Sequence, residues 1–169
     1  MQKILVIGCP GGGKSTFARA LRDKTGLPLV YLDRIWHKPD GTQISHAEFD
    51  TRLEEVLCGD RWIIDGNYLR TMERRLQACD TVFLLDYPLE VCLAGAASRV
   101  GRPHEDLPWV ETTFDPEFRR WIEDFPQKQL PVIHALLDKY RQGRTLHIFH
   151  DRTEADAWLE SCAAGNGEV

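Results

Sequence analysis

Residues 8–15 read Gly8-Cys9-Pro10-Gly11-Gly12-Gly13-Lys14-Ser15, which matches the pattern G-x-x-x-x-G-K-[ST] of a phosphate-binding loop. An apolar run of strand length, Lys3 to Ile7, precedes this loop. An amphipathic helical pattern follows it from Ser15 to Asp23. Strand, glycine-rich loop and helix in this order are the context that the motif requires. The stretch therefore predicts a site for the phosphate groups of a nucleotide.

The residue types in the loop suit the binding of phosphate. Glycines let backbone N–H groups approach a phosphate closely, and the N-terminus of the following helix adds a partial positive charge. Lys14 is predicted to reach the β- and γ-phosphates, and Ser15 to offer its hydroxyl to Mg²⁺. A glycine-rich turn without a ligand is the alternative interpretation.

The composition is typical of one folded domain. The chain has 169 residues, 43% hydrophobic and 28% charged, so we expect a single domain with its own core over residues 1–169. The formal net charge of −5 argues against a broad nucleic-acid surface. Five cysteines without a C-x-x-C pair favour reduced thiols and argue against a zinc site. Neither a leader peptide nor a membrane-spanning stretch is recognisable, so a cytoplasmic protein without membrane contact is expected.

Five apolar runs alternate with helical patterns along the chain. This alternation predicts an α/β fold, in which a five-stranded parallel sheet carries helices on both faces. In such sheets ligands bind at the carboxyl ends of the strands. The predicted strands are Lys3–Ile7, Leu29–Leu32, Arg61–Asp65, Thr81–Asp86 and Thr145–Phe149.

Two of these strands end in an aspartate. An apolar run that ends in Asp is the second signature of a phosphate-loop protein, and its carboxylate serves Mg²⁺. We favour Asp65, because its strand is expected to neighbour the phosphate-loop strand and because Asp65-Gly66 opens into an arginine-bearing segment. Asp86 precedes a Tyr-Pro turn, which favours a capping role for its side chain.

Three side chains are candidates for binding a phosphoryl acceptor. Asp33 follows the second strand and is predicted to hold the acceptor hydroxyl or act as a general base; a helix cap or a salt bridge is the alternative. Trp36 either stacks on an acceptor ring or anchors a loop or the core. Arg70 is predicted to contact an anionic acceptor, whereas Arg74 and Arg75 are interpreted as a solvated basic face.

The composition changes over roughly residues 100–130, where strands stop and arginines and tryptophans gather. This segment is predicted to be a lid inserted into the sheet domain, which would exclude water from the site. Its arginines would neutralise charge on the transferring phosphoryl group. Arg99 and Arg102 are the main candidates, ahead of Arg119 and Arg120. A surface helical hairpin with ordinary ion pairs is the alternative.

The loop after the fifth strand, His150-Asp151-Arg152, lies where an adenine base commonly rests in this architecture. Arg152 is predicted to contact that base, with backbone groups of the same loop as alternative contacts. The tail after Ala163 is small and polar, which predicts disorder.

Five segments of the chain carry a resemblance to a known family. They are G-C-P-G-G-G-K-S-T-F-A-R from Gly8, Y-L-D-R-I-W from Tyr31, W-I-I-D-G-N-Y from Trp62, F-L-L-D-Y-P-L-E-V-C-L from Phe83 and G-R-P-H-E-D-L-P-W-V from Gly101. They resemble the adenylate-kinase-related ATPases, and within them the group labelled topology modulation protein FlaR. The resemblance extends to about Trp158 and implies a nucleoside-monophosphate-kinase-like phosphate-loop fold that uses ATP and Mg²⁺. The residues that it assigns to the ATP phosphates are Gly8, Pro10, Gly11, Gly12, Gly13, Lys14, Ser15 and Thr16.

One segment departs from the adenylate kinase pattern. Asp65 matches the aspartate of the adenylate kinase motif L-D-G-F-P-R, which supports its magnesium role. This chain has Asp-Gly-Asn-Tyr-Leu-Arg there, so the proline is missing and the arginine, Arg70, is displaced by one position. The departure speaks against AMP as the acceptor and leaves the identity of the acceptor open.

Two functions from different classes follow. The first is a kinase that transfers the γ-phosphoryl group of MgATP to a small acceptor, with catalytic roles for Lys14, Asp33, Arg99 and Arg102. The second is a nucleotide-gated regulatory ATPase, in which ATP closes the lid and alters a protein or DNA partner. The kinase is favoured because lid and acceptor segments are both present. Its partners would be ATP and the acceptor, without direct contact to nucleic acid.

Overall fold

The computed structural model describes residues 1–164, and the predicted disorder of the tail falls on residues outside this description. The strands are β1 Lys3–Gly8, β2 Leu29–Tyr31, β3 Trp62–Asp65, β4 Thr81–Leu85 and β5 Thr145–Phe149. The helices are α1 Lys14–Thr25, α2 Leu32–Trp36, α3 His46–Leu57, α4 Leu69–Ala78, α5 Leu89–Ala97, α6 Pro116–Lys128, α7 Leu130–Lys139 and α8 Arg152–Ala164.

All five strands are parallel and lie in the order β2-β3-β1-β4-β5, which confirms the predicted sheet. Strand β1, which leads into the phosphate loop, is central. Its Val6 pairs with Asp65 of β3, and its Gly8 pairs with Leu85 of β4. Because the strands are parallel, the phosphate loop and the segments after β3, β4 and β5 all emerge at one edge of the sheet.

The central strands are buried on both faces of the sheet. Every residue of β3 and β4 is buried, as is every residue of β1 after Lys3. Phe17 of α1 and Trp158 of α8 pack on one face, with ring centroids 5.0 and 4.6 Å from that of Phe83. Helices α4, α5, α6 and α7 contact one another in a second group, in which α4 contacts β1. This arrangement holds the ligand-binding edge on a rigid frame.

The segment predicted as a lid consists of two different parts. Residues 98–115 form turns and irregular structure, whereas α6 is a packed helix. Ile122 and Phe125 of α6 are buried in the core, and α6 contacts α5 and α7. A cover that opens must have few buried apolar contacts, so the irregular part suits that role better than α6.

Two further features of the described part concern its helices and its cysteines. Within residues 1–164, no helix combines the length and the apolar character needed to cross a bilayer. All five cysteines are free thiols, three of them buried: Cys9, Cys79 and Cys92.

Candidate active site

The phosphate loop packs directly on helix α5. Gly11 has φ +79°, in the left-handed region, and a Cβ atom built there would lie 2.0 Å from the backbone oxygen of Cys92. Gly95 of α5 faces the loop, and a Cβ atom built on Gly95 would lie 2.0 Å from the backbone oxygen of Gly11. The two glycines therefore meet backbone to backbone, and this contact sets the position of the loop.

We expect that replacing Gly95 by alanine would weaken the MgATP binding that the sequence predicts for the phosphate loop. In an ordinary helix interior alanine is favoured over glycine by about 1 kcal/mol. Here the methyl group displaces Gly11, and a misplaced phosphate loop loses affinity by roughly tenfold or more. Calorimetric titration with MgATP measures the effect, with Ala97→Ser, at an exposed position of the same helix, as the control. Unchanged affinity in a more stable Gly95→Ala protein would contradict this prediction.

Ser15 and Asp65 lie together beneath the phosphate loop. Ser15 Oγ donates a hydrogen bond to Asp65 Oδ2 at 2.6 Å. The other carboxylate oxygen, Oδ1, is buried and has no hydrogen-bond partner among the described residues. Both β3 and β4 flank β1, so strand order alone does not decide between Asp65 and Asp86 as the candidate for the magnesium role. The hydrogen bond from Ser15 favours Asp65. Asp86 instead faces two histidines, His134 at 3.7 Å and His150 at 3.9 Å.

The carboxyl group of Asp65 sits in an unusual electrostatic environment. Only 6% of the residue is exposed, and burial raises its pKa from 3.8 to about 6. The charge of Lys14 and the bond from Ser15 oppose this rise, while the negative charges of Asp33 and Asp106 add to it. Lys14 Nζ meanwhile donates to the backbone oxygen of Cys9 at 3.2 Å. A buried carboxylate with a free oxygen is suited to a cation or to a water bound by one.

The turn after β3 is tied to the phosphate loop by Asn67. Its Oδ1 accepts a hydrogen bond from Gly8 N at 3.0 Å, and its Nδ2 donates to Gly8 O at 2.7 Å. The side chain thus forms both backbone hydrogen bonds of the first residue of the phosphate motif. No local pattern in the sequence points to this role of Asn67; its only signal is that it occupies the position at which the chain departs from the adenylate kinase motif.

Arg75 holds the same turn from within the protein. The residue is completely buried, which contradicts the prediction that it belongs to a solvated basic face. Its guanidinium donates to the backbone oxygens of Gly66 at 2.8 Å, of Tyr68 at 3.0 Å and of Asn67. These three carbonyl groups converge on the guanidinium, because Gly66 and Tyr68 both have positive φ values, of 136° and 39°. Burial lowers the pKa of Arg75 to about 9.

Asp33 is connected to this turn through Tyr68. The Tyr68 hydroxyl donates to Asp33 Oδ1 at 2.6 Å, and burial raises the pKa of the Tyr68 hydroxyl. The prediction that Asp33 directly follows a strand needs correction, because β2 ends at Tyr31 and Asp33 lies in the first turn of α2. The helix begins early because it buries Leu32 against Gly66, where an added Cβ atom would lie 3.0 Å from Leu32 Cβ.

A pocket of about 200 Å³ opens beside Tyr68, between α2, α3 and α4. Its lining residues are Trp36, His46, Phe49, Tyr68, Leu69, Arg70 and Thr71. Two of the predicted acceptor residues, Trp36 and Arg70, therefore share one pocket, and Tyr68 links that pocket to the third, Asp33. Arg70 is paired with Asp50, its Nη1 and Nη2 donating to Oδ2 at 3.0 Å and to Oδ1 at 2.6 Å.

The two main arginines predicted in the lid differ in their partners. Arg99 donates to Asp106 Oδ2 at 2.8 Å and to Glu111 Oε2 at 3.2 Å. Asp106 is buried, and its Oδ1 has no hydrogen-bond partner among the described residues. Arg102 is exposed. Carboxylates thus surround Arg99 in this conformation, and a phosphate group would compete with them for it.

The irregular segment after α5 lies against helices α1 and α2. Arg22 of α1 pairs with Glu105 at 2.6 Å. Arg34 of α2 donates to the backbone oxygen of Glu105, and the His37 ring meets Trp109 edge-on at 4.9 Å. The segment therefore spans from α5 to the helices that flank the phosphate loop and the acceptor pocket.

A second, larger cavity of about 530 Å³ borders the phosphate loop on its other side. It lies between Cys9, the segment after β4 and the junction of α6 with α7, and His150 forms part of its wall. Arg152, predicted to contact the base, is the first residue of α8 and is exposed at the same edge of the sheet.

Comparison with known proteins agrees with this architecture. The adenylate kinase of Thermotoga neapolitana is 29% identical to the chain over 97 residues, which are 56% of this chain and 43% of that protein. The adenylate kinase of Thermotoga maritima matches to the same extent. The match therefore spans less than half the length of these relatives. No protein-family model matches the chain.

Solved structures match over nearly the whole chain. The shikimate kinase of Acinetobacter baumannii, in complex with shikimate, gives a TM-score of 0.54 at 18% identity and covers 99% of this chain and 96% of its own. A gluconokinase of Sinorhizobium meliloti gives 0.55 at 12% identity, over 97% and 90%. The chain has the fold of the phosphate-loop kinases. A shikimate kinase of Bacteroides thetaiotaomicron shares this fold. It gives a TM-score of 0.57 at 17% identity and covers 94% of both chains.

The predicted fold class is thereby confirmed, as is the resemblance to adenylate-kinase-related proteins. None of the phosphate-loop kinases named above carries the topology-modulation label, which stays a prediction.

Proposed function

We propose that this protein is a kinase that transfers the γ-phosphoryl group of ATP to a hydroxyl group of a small acceptor. The observation that carries the proposal is the pairing of Ser15 with Asp65 at 2.6 Å beneath the phosphate loop, with the second oxygen of Asp65 left free. A serine hydroxyl and a strand-terminal carboxylate side by side are the two protein groups that serve Mg²⁺ in phosphate-loop enzymes. Kinases among both the sequence relatives and the structural neighbours support it.

The nucleotide would lie along the phosphate loop. In this proposal the backbone N–H groups of residues 8–16 bind the phosphates, Lys14 exchanges the carbonyl of Cys9 for the γ-phosphate, and Arg152 lies beside the base. The free oxygen of Asp65 and the hydroxyl of Ser15 fit Mg²⁺, which would neutralise phosphate charge when bound. Use of ATP follows the resemblance to adenylate kinases.

The acceptor would lie between the phosphate loop and α2. In this proposal Asp33 would accept the proton of an acceptor hydroxyl, and the hydrogen bond from Tyr68 would orient its carboxylate. Trp36 and Arg70 line the pocket that would hold the rest of the acceptor. Arg99 and Arg102 would neutralise charge on the transferring group, Arg99 after leaving its carboxylate partners.

The proposal is tested by measuring ADP release from MgATP across a panel of nucleosides, nucleotides and small hydroxylated metabolites. We expect stimulation by one acceptor class, and a loss of roughly two orders of magnitude or more in Lys14→Ala, because the charge that stabilises the transition state is removed. Lys24→Ala, on an exposed site of the same helix, is the matched control and should keep its activity.

The outcome also separates the two function classes. Slow ADP release that no acceptor stimulates would contradict the kinase proposal and favour the nucleotide-gated regulator. A partner that co-purifies in the presence of ATP and not of ADP would then identify what is regulated.

A further inference from the structure

We propose that the acceptor is an uncharged molecule with a flat ring and a hydroxyl group, and that the acceptor pocket excludes compounds carrying a phosphate or carboxylate. This inference rests on the proposed kinase function and specifies its substrate class. It is carried by the walls of the pocket between α2, α3 and α4 and by the pairing of the charges around that pocket.

The walls of the pocket are mostly aromatic. The Trp36 ring stacks on His46 with centroids 5.0 Å apart and meets Phe49 edge-on at 5.7 Å. Phe49 in turn stacks on Tyr68 at 5.3 Å. These four rings are among the residues that line the pocket, and a wall made mostly of aromatic side chains favours a ligand with a flat ring.

The arginine of the pocket is already neutralised. Arg70 forms two parallel hydrogen bonds to Asp50, the bidentate geometry that an anionic ligand would otherwise take up. One turn further along α4, Arg74 pairs with Glu54 of α3. Arg75 points inward and binds backbone oxygens. The guanidinium groups of α4 therefore hold helices and turns together, and none of the three is left for a phosphate.

A negative charge adjoins the pocket at Tyr68. The hydroxyl of this lining residue donates to Asp33 Oδ1 at 2.6 Å, and Asp33 has no ion pair within residues 1–164. A hydroxyl group can donate to the second oxygen of Asp33, whereas a phosphate or carboxylate on the acceptor would be repelled by it. Aromatic walls, a paired arginine and an unpaired carboxylate thus select together for a neutral ring compound with a hydroxyl.

Binding is measured first without ATP, so that it does not depend on phosphoryl transfer. The probes are nucleosides and hydroxymethyl-substituted heteroaromatic compounds, each compared with its own phosphate ester, together with shikimate and gluconate as carboxylates. Calorimetric titration should give the wild-type protein at least a tenfold preference for a neutral compound over its ester.

Asp50→Asn is the decisive variant, because it frees Arg70 to bind an anion. In Asp50→Asn the affinity for the phosphate ester should rise about tenfold while the affinity for the neutral compound stays unchanged. Glu48→Gln is the matched control: it frees Arg52 on the same helix as Asp50, neither residue of this pair lines the pocket, and the variant should change neither affinity.

Each result counts for or against the proposal. Tighter binding of the esters or carboxylates by the wild-type protein, or binding of none of the neutral compounds, would overturn it. A neutral compound that binds with the predicted response to Asp50→Asn but is not phosphorylated would uphold the pocket assignment and contradict the kinase function.

Discussion

Asp65→Asn is expected to abolish phosphoryl transfer while making the nucleotide-free protein more stable at neutral pH. Activity should fall by roughly two orders of magnitude or more, because the carboxylate beside Ser15 no longer carries the charge that Mg²⁺ needs. Stability should rise because the substitution removes a charge from a fully buried site. The pKa of Asp65 rises from 3.8 to about 6, and each unit corresponds to about 1.4 kcal/mol, so the gain is of the order of 3 kcal/mol.

The predicted gain in stability depends on pH. Between about pH 4 and pH 6 the folded protein holds a proton on Asp65 that the unfolded chain releases. The free energy of unfolding of the wild type should therefore fall as the pH rises through this window, and Asp65→Asn should lack that fall. Thermal unfolding at pH 4 and pH 7, without nucleotide, measures the difference.

Asp86→Asn is the control for this experiment, since Asp86 also follows a buried strand but is more exposed than Asp65. It should lower the activity far less than Asp65→Asn does, because Asp86 has no hydrogen bond to Ser15. An Asp65→Asn protein that is less stable than the wild type at pH 7 would contradict the predicted cost of burying this charge. An Asp65→Asn protein that keeps its activity would contradict the proposed magnesium role of the carboxylate.

Arg75→Met is expected to produce the largest loss of stability among single arginine substitutions in α4. Methionine matches the aliphatic part of arginine but leaves three carbonyl groups without donors, each of which costs about 1–3 kcal/mol when buried. We expect the free energy of unfolding to fall by about 3 kcal/mol or more, measured by urea denaturation.

Arg74→Met provides the comparison, because Arg74 lies one residue away and its side chain is 44% exposed. Its pair with Glu54 is a surface ion pair, so its loss should cost less than about 1 kcal/mol. Similar losses in the two variants would mean that the turn after β3 does not depend on the buried guanidinium.

Local patterns predicted much of this architecture from the sequence. The glycine motif, the five apolar runs and the aspartate at the end of β3 are contained within a few consecutive residues each, and the structure has them where they were predicted. Their physical causes, backbone conformation and burial of a strand, act over the same short range. Asp33 was displaced from the strand end only because α2 begins at Leu32.

The roles of the arginines in α4 could not be predicted in the same way. Arg70, Arg74 and Arg75 are nearly consecutive, yet one pairs with Asp50, one with Glu54, and one is buried under a turn. Their partners are set by how α4 packs on α3 and by the positive φ values after β3, which depend on tertiary contacts. The pairing of Asn67 with Gly8 is likewise a contact between residues 59 positions apart.

In the proposed kinase, that contact would couple the acceptor pocket to the nucleotide site. The side-chain amide of Asn67 is hydrogen-bonded to Gly8, the residue at which the phosphate loop starts. The next residue of the same turn, Tyr68, donates a hydrogen bond to Asp33. In the proposed kinase, a shift of the turn on the arrival of an acceptor would be passed to the loop through one side chain, that of Asn67. Because such linkage is reciprocal, an acceptor that raises the affinity for nucleotide is itself bound more tightly by the same factor. The proposed kinase would then favour the complex that holds both substrates together.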